Sequence, residues 1–144
     1  MERDFSVLIV DDEDDFRSTL IKRLAKRKID IAGASGGEEA LAMMRENPRD
    51  IVVLDVKMPG MDGIETLTAI KKQHPLTEVI MLTGHANIEA ALEGMEFGAF
   101  DYLMKPTDID DLLFKLEDAY HKRLLHERKT LQLKKEAERK KMTT

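Results

Sequence analysis

A short run of apolar residues that ends at a single carboxylate is the feature that most constrains the fold of this chain. Residues 51–54 read Ile-Val-Val-Leu, Asp55 follows them, and Met58-Pro59-Gly60 then brings the chemistry of a loop. A run this short and this apolar predicts a strand that is buried on both faces of a parallel sheet. Asp55 would lie at the carboxyl end of that strand, where the ligands of open α/β sheets collect. Taken alone, Asp55 has a simpler interpretation as a carboxylate that merely ends a strand.

Four further apolar runs alternate with segments of helical spacing. They predict strands at residues 5–10, 29–34, 78–82 and 99–104. No hairpin signal separates the runs, so all five strands are predicted to be parallel and joined by right-handed crossovers. The sequence therefore predicts an α/β fold, a doubly wound five-stranded parallel sheet with helices on both faces. Either of the two common strand orders satisfies this pattern, and the first strand lacks the G-x-G-x-x-G motif of a dinucleotide site.

Five consecutive acids at residues 11–15 follow the first predicted strand. Asp14 or Asp15 is predicted to cap the next helix, because apolar residues recur at helical spacing from Phe16 onwards. Capping leaves Asp11 and Asp12 without a role. Two adjacent carboxylates at a strand end repel each other, and a hard cation that prefers oxygen ligands relieves this repulsion.

The predicted strand ends carry chemically matched residues. Asp11 and Asp12 follow the first strand, Asp55 the third, Thr83 the fourth and Lys105 the fifth. Three carboxylates suit Mg²⁺, which keeps several waters and takes phosphate oxygens as further ligands. A hydroxyl and a lysine complement the remaining oxygens of a phosphoryl group, and a carboxylate can act as a nucleophile that becomes an aspartyl phosphate. Asp55 is the predicted phosphoryl acceptor.

Four motifs carry a resemblance to a known family: Val-Asp-Asp at residues 10–12, Leu-Asp-Val-Lys-Met-Pro-Gly-Met-Asp-Gly at 54–63, Leu-Thr-Gly-His at 82–85, and Gly-Ala-Phe-Asp-Tyr-Leu-Met-Lys-Pro at 98–106. Over about residues 5–120 the chain resembles the receiver domain of two-component response regulators. The loop and last-strand motifs are most similar to receivers that are fused to transcriptional activators. The resemblance implies the flavodoxin-like strand order 2-1-3-4-5.

The resemblance also implies how the metal and the phosphoryl group are held. Asp55 would accept the phosphoryl group from a sensor histidine kinase or a phosphotransfer protein. Asp12 and Asp55 would ligate Mg²⁺ directly, Asp11 through water, and the backbone carbonyl of Lys57 would be a third protein ligand. Such a domain is a phosphoacceptor and not an enzyme, since it catalyses only its own phosphorylation and dephosphorylation.

The remaining implied roles concern phosphoryl binding and switching. Thr83 and Lys105 would bind the phosphoryl oxygens, and the peptide bond before Pro106 would be cis, as X-Pro bonds permit. Tyr102 matches the switch aromatic of the family, and it would turn inward when Thr83 moves towards the phosphoryl group. The surface of the fourth helix, fifth strand and last helix would then change. A half-buried aromatic on an edge strand is the alternative interpretation of Tyr102.

Two site-flanking positions are individual to this chain. Lys57 follows Asp55 by two residues, and His85 follows Thr83 by two. We hypothesise that a long cation at this place obstructs or orders the attacking water and so lengthens the lifetime of the phosphoryl group. A Lys57 side chain that points into solvent is the alternative.

Charge divides the chain into two segments. Residues 121–144 hold nine Lys/Arg against three Glu, a net charge of +6, so that with a total of −5 residues 1–120 carry −11. We predict a receiver domain at residues 1–120 and a basic helical extension at 121–144. Asp108 is the predicted N-cap of the last helix, which continues past the domain without Gly or Pro. The extension is predicted to be a dimerising or partner-binding helix, a linker to an output domain, or else a frayed tail or a weak nucleic-acid contact.

The composition of the chain limits the cellular compartment and the partners that we expect. The chain has no cysteine, no signal-peptide pattern at its amino terminus and no apolar stretch near the roughly 18 residues of a membrane span, so we expect a cytoplasmic protein without membrane contact. So acidic a receiver is not expected to bind nucleic acid directly. A homodimer would form through the fourth helix, fifth strand and last helix, or through the extended helix, whose Leu124 and Leu131 lie seven residues apart.

Two other classes of function compete with a signalling receiver. A phosphatase of the haloacid-dehalogenase type also uses Asp, Thr, Lys and Mg²⁺ on a parallel sheet, but residues 10–14 do not supply its D-x-D-G-T pattern. A phosphate-independent scaffold would be favoured by loss of one of the matched residues, and all of them are present. The sequence therefore favours the phosphorylation-dependent receiver.

Overall fold

The structure, a computed structural model, describes residues 4–142 as a five-stranded parallel sheet flanked by helices. The order along the sheet is β2-β1-β3-β4-β5. The strands are β1 Ser6–Val10, β2 Asp30–Ala34, β3 Ile51–Asp55, β4 Glu78–Thr83 and β5 Asp101–Met104; the helices are α1 Asp14–Lys26, α2 Gly37–Glu46, α3 Gly63–Gln73, α4 Ile88–Glu96 and α5 Ile109–Met142. This arrangement confirms the predicted fold class and the flavodoxin-like strand order. Residues 1–3 and 143–144 of the two predicted segments lie outside the described residues.

The sheet separates two apolar layers. Val52 and Leu54 of β3 pack with residues of α2, α3 and α4, while Ile51 and Val53 pack with residues of α1 and α5. All five residues of β3 are buried, because helices cover both faces of the central strand. The prediction of a strand buried on both faces is therefore confirmed, and burial of its apolar side chains anchors the position of Asp55.

Two predicted local features are wrong. Neither Asp14 nor Asp15 caps α1; both lie in its first turn, and the N-cap residue is Glu13, without a side-chain cap hydrogen bond. The helix starts earlier because the Glu13 carbonyl already accepts the backbone N–H of Arg17 at 3.0 Å. The fifth strand begins at Asp101 and not at residue 99, because Ala99 donates its backbone N–H to Gly94 and so closes α4.

Helix α5 is much longer than the domain needs. Its first turns pack Leu112, Leu113 and Leu116 into the core, and the Asp108 carboxylate caps them by accepting the N–H of Asp110 at 2.8 Å. The helix continues to Met142 and exposes most of its later leucines to solvent, namely Leu125, Leu131 and Leu133. None of the helices among residues 4–142 has a stretch that is both long enough and apolar enough to cross a bilayer.

Ion pairs at the amino edge of the sheet hold α5 against the domain beyond residue 120, the predicted end of the domain. The Glu78 carboxylate is buried, and its oxygens lie 3.9 Å from Lys71 Nζ and 3.6 Å from Lys122 Nζ. Arg123 Nε lies 3.0 Å from Asp50 Oδ1. Burial lowers the pKa of Lys71, and the Glu78 charge opposes this shift. Because Lys122 and Arg123 pair with residues of the domain, we propose that the domain ends after Arg123 and not at residue 120.

Replacing Lys122 tests this boundary. We expect Lys122→Ala to lower the free energy of unfolding by about 1–3 kcal/mol, because the buried Glu78 carboxylate loses one of its two cations. Lys129→Ala, an exposed lysine two turns further along the same helix, is the matched control and should leave stability within about 0.5 kcal/mol. Urea denaturation measures both, and equal stabilities of the two variants would contradict the proposed boundary.

Candidate functional site

The carboxyl edge of the sheet brings the predicted site residues together. Asp55 ends β3 and Thr83 ends β4, while Asp11 and Lys105 directly follow β1 and β5. These four strands are neighbours in the sheet, and the registers place Val10 opposite Leu54 and Thr83 opposite Met104. Parallel strands end at the same edge, so each residue reaches the site because its own strand ends there.

Three carboxylates form the acidic part of the site. Asp11, Asp12 and Asp55 each offer an oxygen, and these oxygens all lie within 4.8 Å of one another. Asp11 and Asp55 are buried, and Asp12 is exposed. Carboxylates this close repel each other, and an oxygen-preferring divalent cation is the group that relieves such repulsion. The donor set therefore fits a hard metal ion.

Lys105 supplies the positive charge of the site. Its Nζ lies 2.7 Å from Asp11 Oδ2, 3.6 Å from Asp55 Oδ1 and 3.4 Å from Glu13 Oε1. The ammonium also lies 4.4 Å from the ring centroid of Phe16, an attractive cation–π distance. Burial alone would lower the pKa of Lys105, but the hydrogen bond with Asp11 and the nearby carboxylates outweigh it and raise that pKa.

Glu13 and Phe16 also contact Lys105, and the sequence pattern does not predict either contact. Both residues lie in the segment directly after β1, where the pattern predicts only an acidic loop residue and a helix residue. The signal that could have found them is their position, since a loop that follows β1 passes over the same edge of the sheet as Lys105.

Burial and like charge raise the pKa of Asp55 from 3.8 to about 6. Burial of the carboxylate is the largest cause, and the charge of Asp11 adds to it. Lys105 and a hydrogen bond with the backbone of Lys57 act in the opposite direction but do not cancel the shift. Without a bound cation, ionisation of Asp55 is therefore less favourable in the folded chain than in the unfolded chain.

The shift of Asp55 predicts a pH dependence of stability. Between pH 3.8 and about 6 the folded chain binds more protons at Asp55 than the unfolded chain does, so the free energy of unfolding contributed by this group falls as the pH rises. In metal-free buffer at about pH 7.5, we expect Asp55→Asn to be more stable than the wild type by about 2–3 kcal/mol. The difference should shrink towards zero near pH 4.

Urea denaturation of both proteins across this pH range measures the difference. Saturating Mg²⁺ should reduce the advantage of the Asn variant at neutral pH, because a bound cation stabilises the ionised carboxylate of the wild type. A stability difference that stays constant between about pH 4 and pH 7.5 would contradict the raised pKa.

The turn after β3 packs against the backbone of Asp55. A Cβ atom at Gly63 would lie 2.6 Å from the backbone oxygen of Asp55 and 2.7 Å from that of Val56, so only glycine fits against this backbone. Gly63 also donates its N–H to the Val56 carbonyl at 3.1 Å. Asp62 then caps α3 by accepting the N–H of Glu65 at 2.9 Å. The close approach and the hydrogen bond of Gly63 tie the start of α3 to the end of β3.

The other predicted residues lie around this centre. Thr83 is buried, and its hydroxyl donates to the Gly84 carbonyl at 3.0 Å. Tyr102 is half-buried against the layer that contains α4, and the peptide bond between Lys105 and Pro106 is cis. The side chains of the two flanking residues, Lys57 and His85, are exposed. The structure thus brings Asp11, Asp12, Asp55 and Lys105 into direct proximity and leaves Thr83 turned to its own backbone.

The fold and this site together define a flavodoxin-like receiver domain. Comparison with known families agrees, because the family described as response regulator receiver domain matches residues 7–117. The chain therefore belongs to this family.

Relatives and solved structures are similar over the same region. The chain is 39% identical over 113 residues to the DNA-binding transcriptional regulator NtrC of Salmonella typhimurium, covering 78% of this chain and 24% of that protein. It is 40% identical over 106 residues to the regulatory protein AtoC of Escherichia coli, covering 74% of this chain and 23% of that protein. The receiver domain of NtrX from Brucella abortus superposes with a TM-score of 0.77 at 36% identity, covering 81% of this chain and 98% of that one. The chain thus spans about a quarter of the length of the curated relatives it matches.

Proposed function

We propose that this chain receives a phosphoryl group on Asp55 from a sensor histidine kinase or a phosphotransfer protein in a reaction that requires Mg²⁺. The observation that carries the proposal is the meeting of three carboxylates and one ammonium at the carboxyl edge, with the Lys105 ammonium beside both Asp11 and Asp55. A buried carboxylate beside a cation-binding group is suited to nucleophilic attack on phosphorus.

Each residue of the site takes a defined part in the transfer. Asp12, Asp55 and the Lys57 carbonyl would hold Mg²⁺ directly and Asp11 through water, and the chemistry that Mg²⁺ supplies is neutralisation of charge on the phosphoryl oxygens. An Asp55 oxygen forms a bond to phosphorus while the bond from phosphorus to the donor's histidine nitrogen breaks. The Lys105 ammonium, now 3.6 Å from Asp55, pairs with a phosphoryl oxygen.

Thr83 and Tyr102 would convert the new charge into a change of surface. The Thr83 hydroxyl exchanges its bond with the Gly84 carbonyl for a bond with a phosphoryl oxygen, and Tyr102 turns into the space that Thr83 leaves. Phosphorylation biases an existing two-state equilibrium, since the new group contacts one of the two arrangements more favourably. The surface that changes comprises α4, β5 and α5, where Ile88 and Leu92 are exposed.

The proposal for the output of this receiver is based on its relatives and on the extended helix α5. The relatives NtrC and AtoC are regulators several times longer than the matched segment, so we propose that this receiver controls a transcriptional output through a further domain or a partner. It acts as a phosphoacceptor in the cytoplasm and not as an enzyme on other substrates. A homodimer through the surface of α4, β5 and α5, or through the extended α5, would transmit the signal.

Phosphorylation with a small-molecule phosphodonor and Mg²⁺ tests the function. We expect a single adduct of about 80 Da by intact mass. The adduct should be absent in Asp55→Ala and in metal-free buffer. Asp62→Ala, which removes a carboxylate of the same loop outside the acidic cluster, is the control and should still form the adduct. Light scattering on the same sample distinguishes a dimer from a monomer, and a wild type that forms no adduct contradicts the proposed function.

Lys57 is proposed to set the lifetime of the phosphoryl group. Lys57 follows Asp55 by two residues and its side chain is exposed, so we propose that this side chain obstructs or orders the attacking water. We expect Lys57→Ala to shorten the half-life of the phosphorylated chain by about threefold, a change of less than about 1 kcal/mol in the barrier. The backbone carbonyl of residue 57 is unchanged in this variant. Lys72→Ala, an exposed lysine of α3, is the matched control, and equal half-lives in the two variants would exclude this role.

A further inference from the structure

Arg17 reaches from α1 to the backbone of the acidic cluster. Its guanidinium donates one hydrogen bond to the Asp11 carbonyl at 2.6 Å and another to Asp14 Oδ1 at 2.8 Å. The Arg17 side chain is 18% exposed, whereas the carboxylate of Asp14 is 80% exposed. The bond to the carbonyl is charge-assisted and short, and bonds of this kind are stronger than bonds between neutral groups.

The carbonyl that Arg17 holds belongs to the peptide that joins Asp11 to Asp12. The other polar groups of Asp11 are also engaged: its N–H donates to the Ala34 carbonyl at 3.1 Å, Oδ1 accepts the N–H of Glu13 at 2.9 Å, and Oδ2 accepts Lys105 Nζ at 2.7 Å. Asp12 has an exposed carboxylate, so its direction depends on the plane of the preceding peptide. The Arg17 guanidinium holds the carbonyl oxygen of this peptide.

The sequence leaves room for this contact in β2. A Cβ atom at Gly33 would lie 3.2 Å from Arg17 Cδ, 3.4 Å from Arg17 Cγ and 2.6 Å from Ile21 Cδ1. Glycine at this position therefore lets the stem of Arg17 lie across β2 and extend its guanidinium to the end of β1. Sequence patterns gave no indication of this role, since Arg17 reads as an ordinary charged residue of an amphipathic helix.

We infer that Arg17 is a positioning residue of the metal site, which holds the peptide between Asp11 and Asp12 so that the Asp12 carboxylate faces the cation. The inference rests on the proposed function for the identity of the cation as Mg²⁺. A positioning role and a purely electrostatic role have opposite signs. Removing a positive charge near a cation site strengthens cation binding by Coulomb's law, whereas releasing the peptide weakens it.

Calorimetric titration of the unphosphorylated chain with MgCl₂ tests the inference. We expect Arg17→Met to weaken Mg²⁺ affinity by about tenfold, the usual effect of losing a group that orients a metal ligand. Arg23→Met, which removes the same charge from an exposed position of the same helix, should change the affinity by less than about twofold. In Arg17→Lys, an ammonium reaches only one of the two acceptors, so the affinity should be intermediate.

Two further measurements separate positioning from general damage. The rate of phosphorylation of Arg17→Met should recover at saturating Mg²⁺, because the defect lies in holding the metal. Gly33→Ala crowds Ile21 Cδ1 and the Arg17 stem but keeps the Arg17 charge, so it should weaken Mg²⁺ binding by less than Arg17→Met does. Unchanged or tighter Mg²⁺ binding in Arg17→Met overturns the inference; if that variant does not fold, unchanged binding in Arg17→Lys does so.

The outcome is independent of the test of the proposed function. A wild type that takes no phosphoryl group but loses Mg²⁺ affinity on replacement of Arg17 contradicts the proposed function and supports the positioning role. A wild type that is phosphorylated on Asp55 while both Arg17 variants bind Mg²⁺ normally supports the function and overturns the positioning role.

Discussion

Repulsion among three carboxylates at one edge of the sheet is the constraint on which the site depends. Carboxylate oxygens of Asp11, Asp12 and Asp55 lie within 4.8 Å of one another, and Asp11 and Asp55 are buried. The Lys105 ammonium lies against both of these buried carboxylates. The pKa of Asp55 rises to about 6 because this single cation does not compensate the burial and the like charges. The apolar layers on both faces of β3 hold the carboxylates in place against this repulsion, so the fold maintains an arrangement that a metal ion or a phosphoryl group can relieve.

Much of the fold and of the site could be predicted because both depend on local patterns. Alternation of apolar runs with helical spacing gave five parallel strands, and in such a sheet the residue that ends a strand lies at a known edge. Asp55, Thr83 and Lys105 could be assigned to one site on that ground alone. The strand order required the resemblance to receiver domains, since the pattern of elements allowed two orders.

Most of the contacts that escaped prediction depend on residues that are distant along the chain. Arg17 reads as a solvated helix residue until β2 is seen to offer Gly33 beneath it. Glu78 reads as the polar start of a strand, yet α3 and α5 bury it and place Lys71 and Lys122 against it. The sequence does not single out the cap of α1, because five successive acids offer equivalent side chains. The backbone hydrogen bond from Arg17 to Glu13 determines where the helix begins.

Helix α5 connects the two edges of the sheet. It starts four residues after Lys105 at the carboxyl edge, and Lys122 and Arg123 tie it to Glu78 and Asp50 at the amino edge. If the proposed phosphorylation moves Lys105, α5 can follow in two ways. Either the helix shifts as a rigid body and its basic extension moves with it, or the ion pairs break and the extension loses its fixed direction. Buried Glu78 resists the second, since breaking the pair with Lys122 leaves its charge less compensated. The charge balance at the amino edge thus favours transmission through an intact helix.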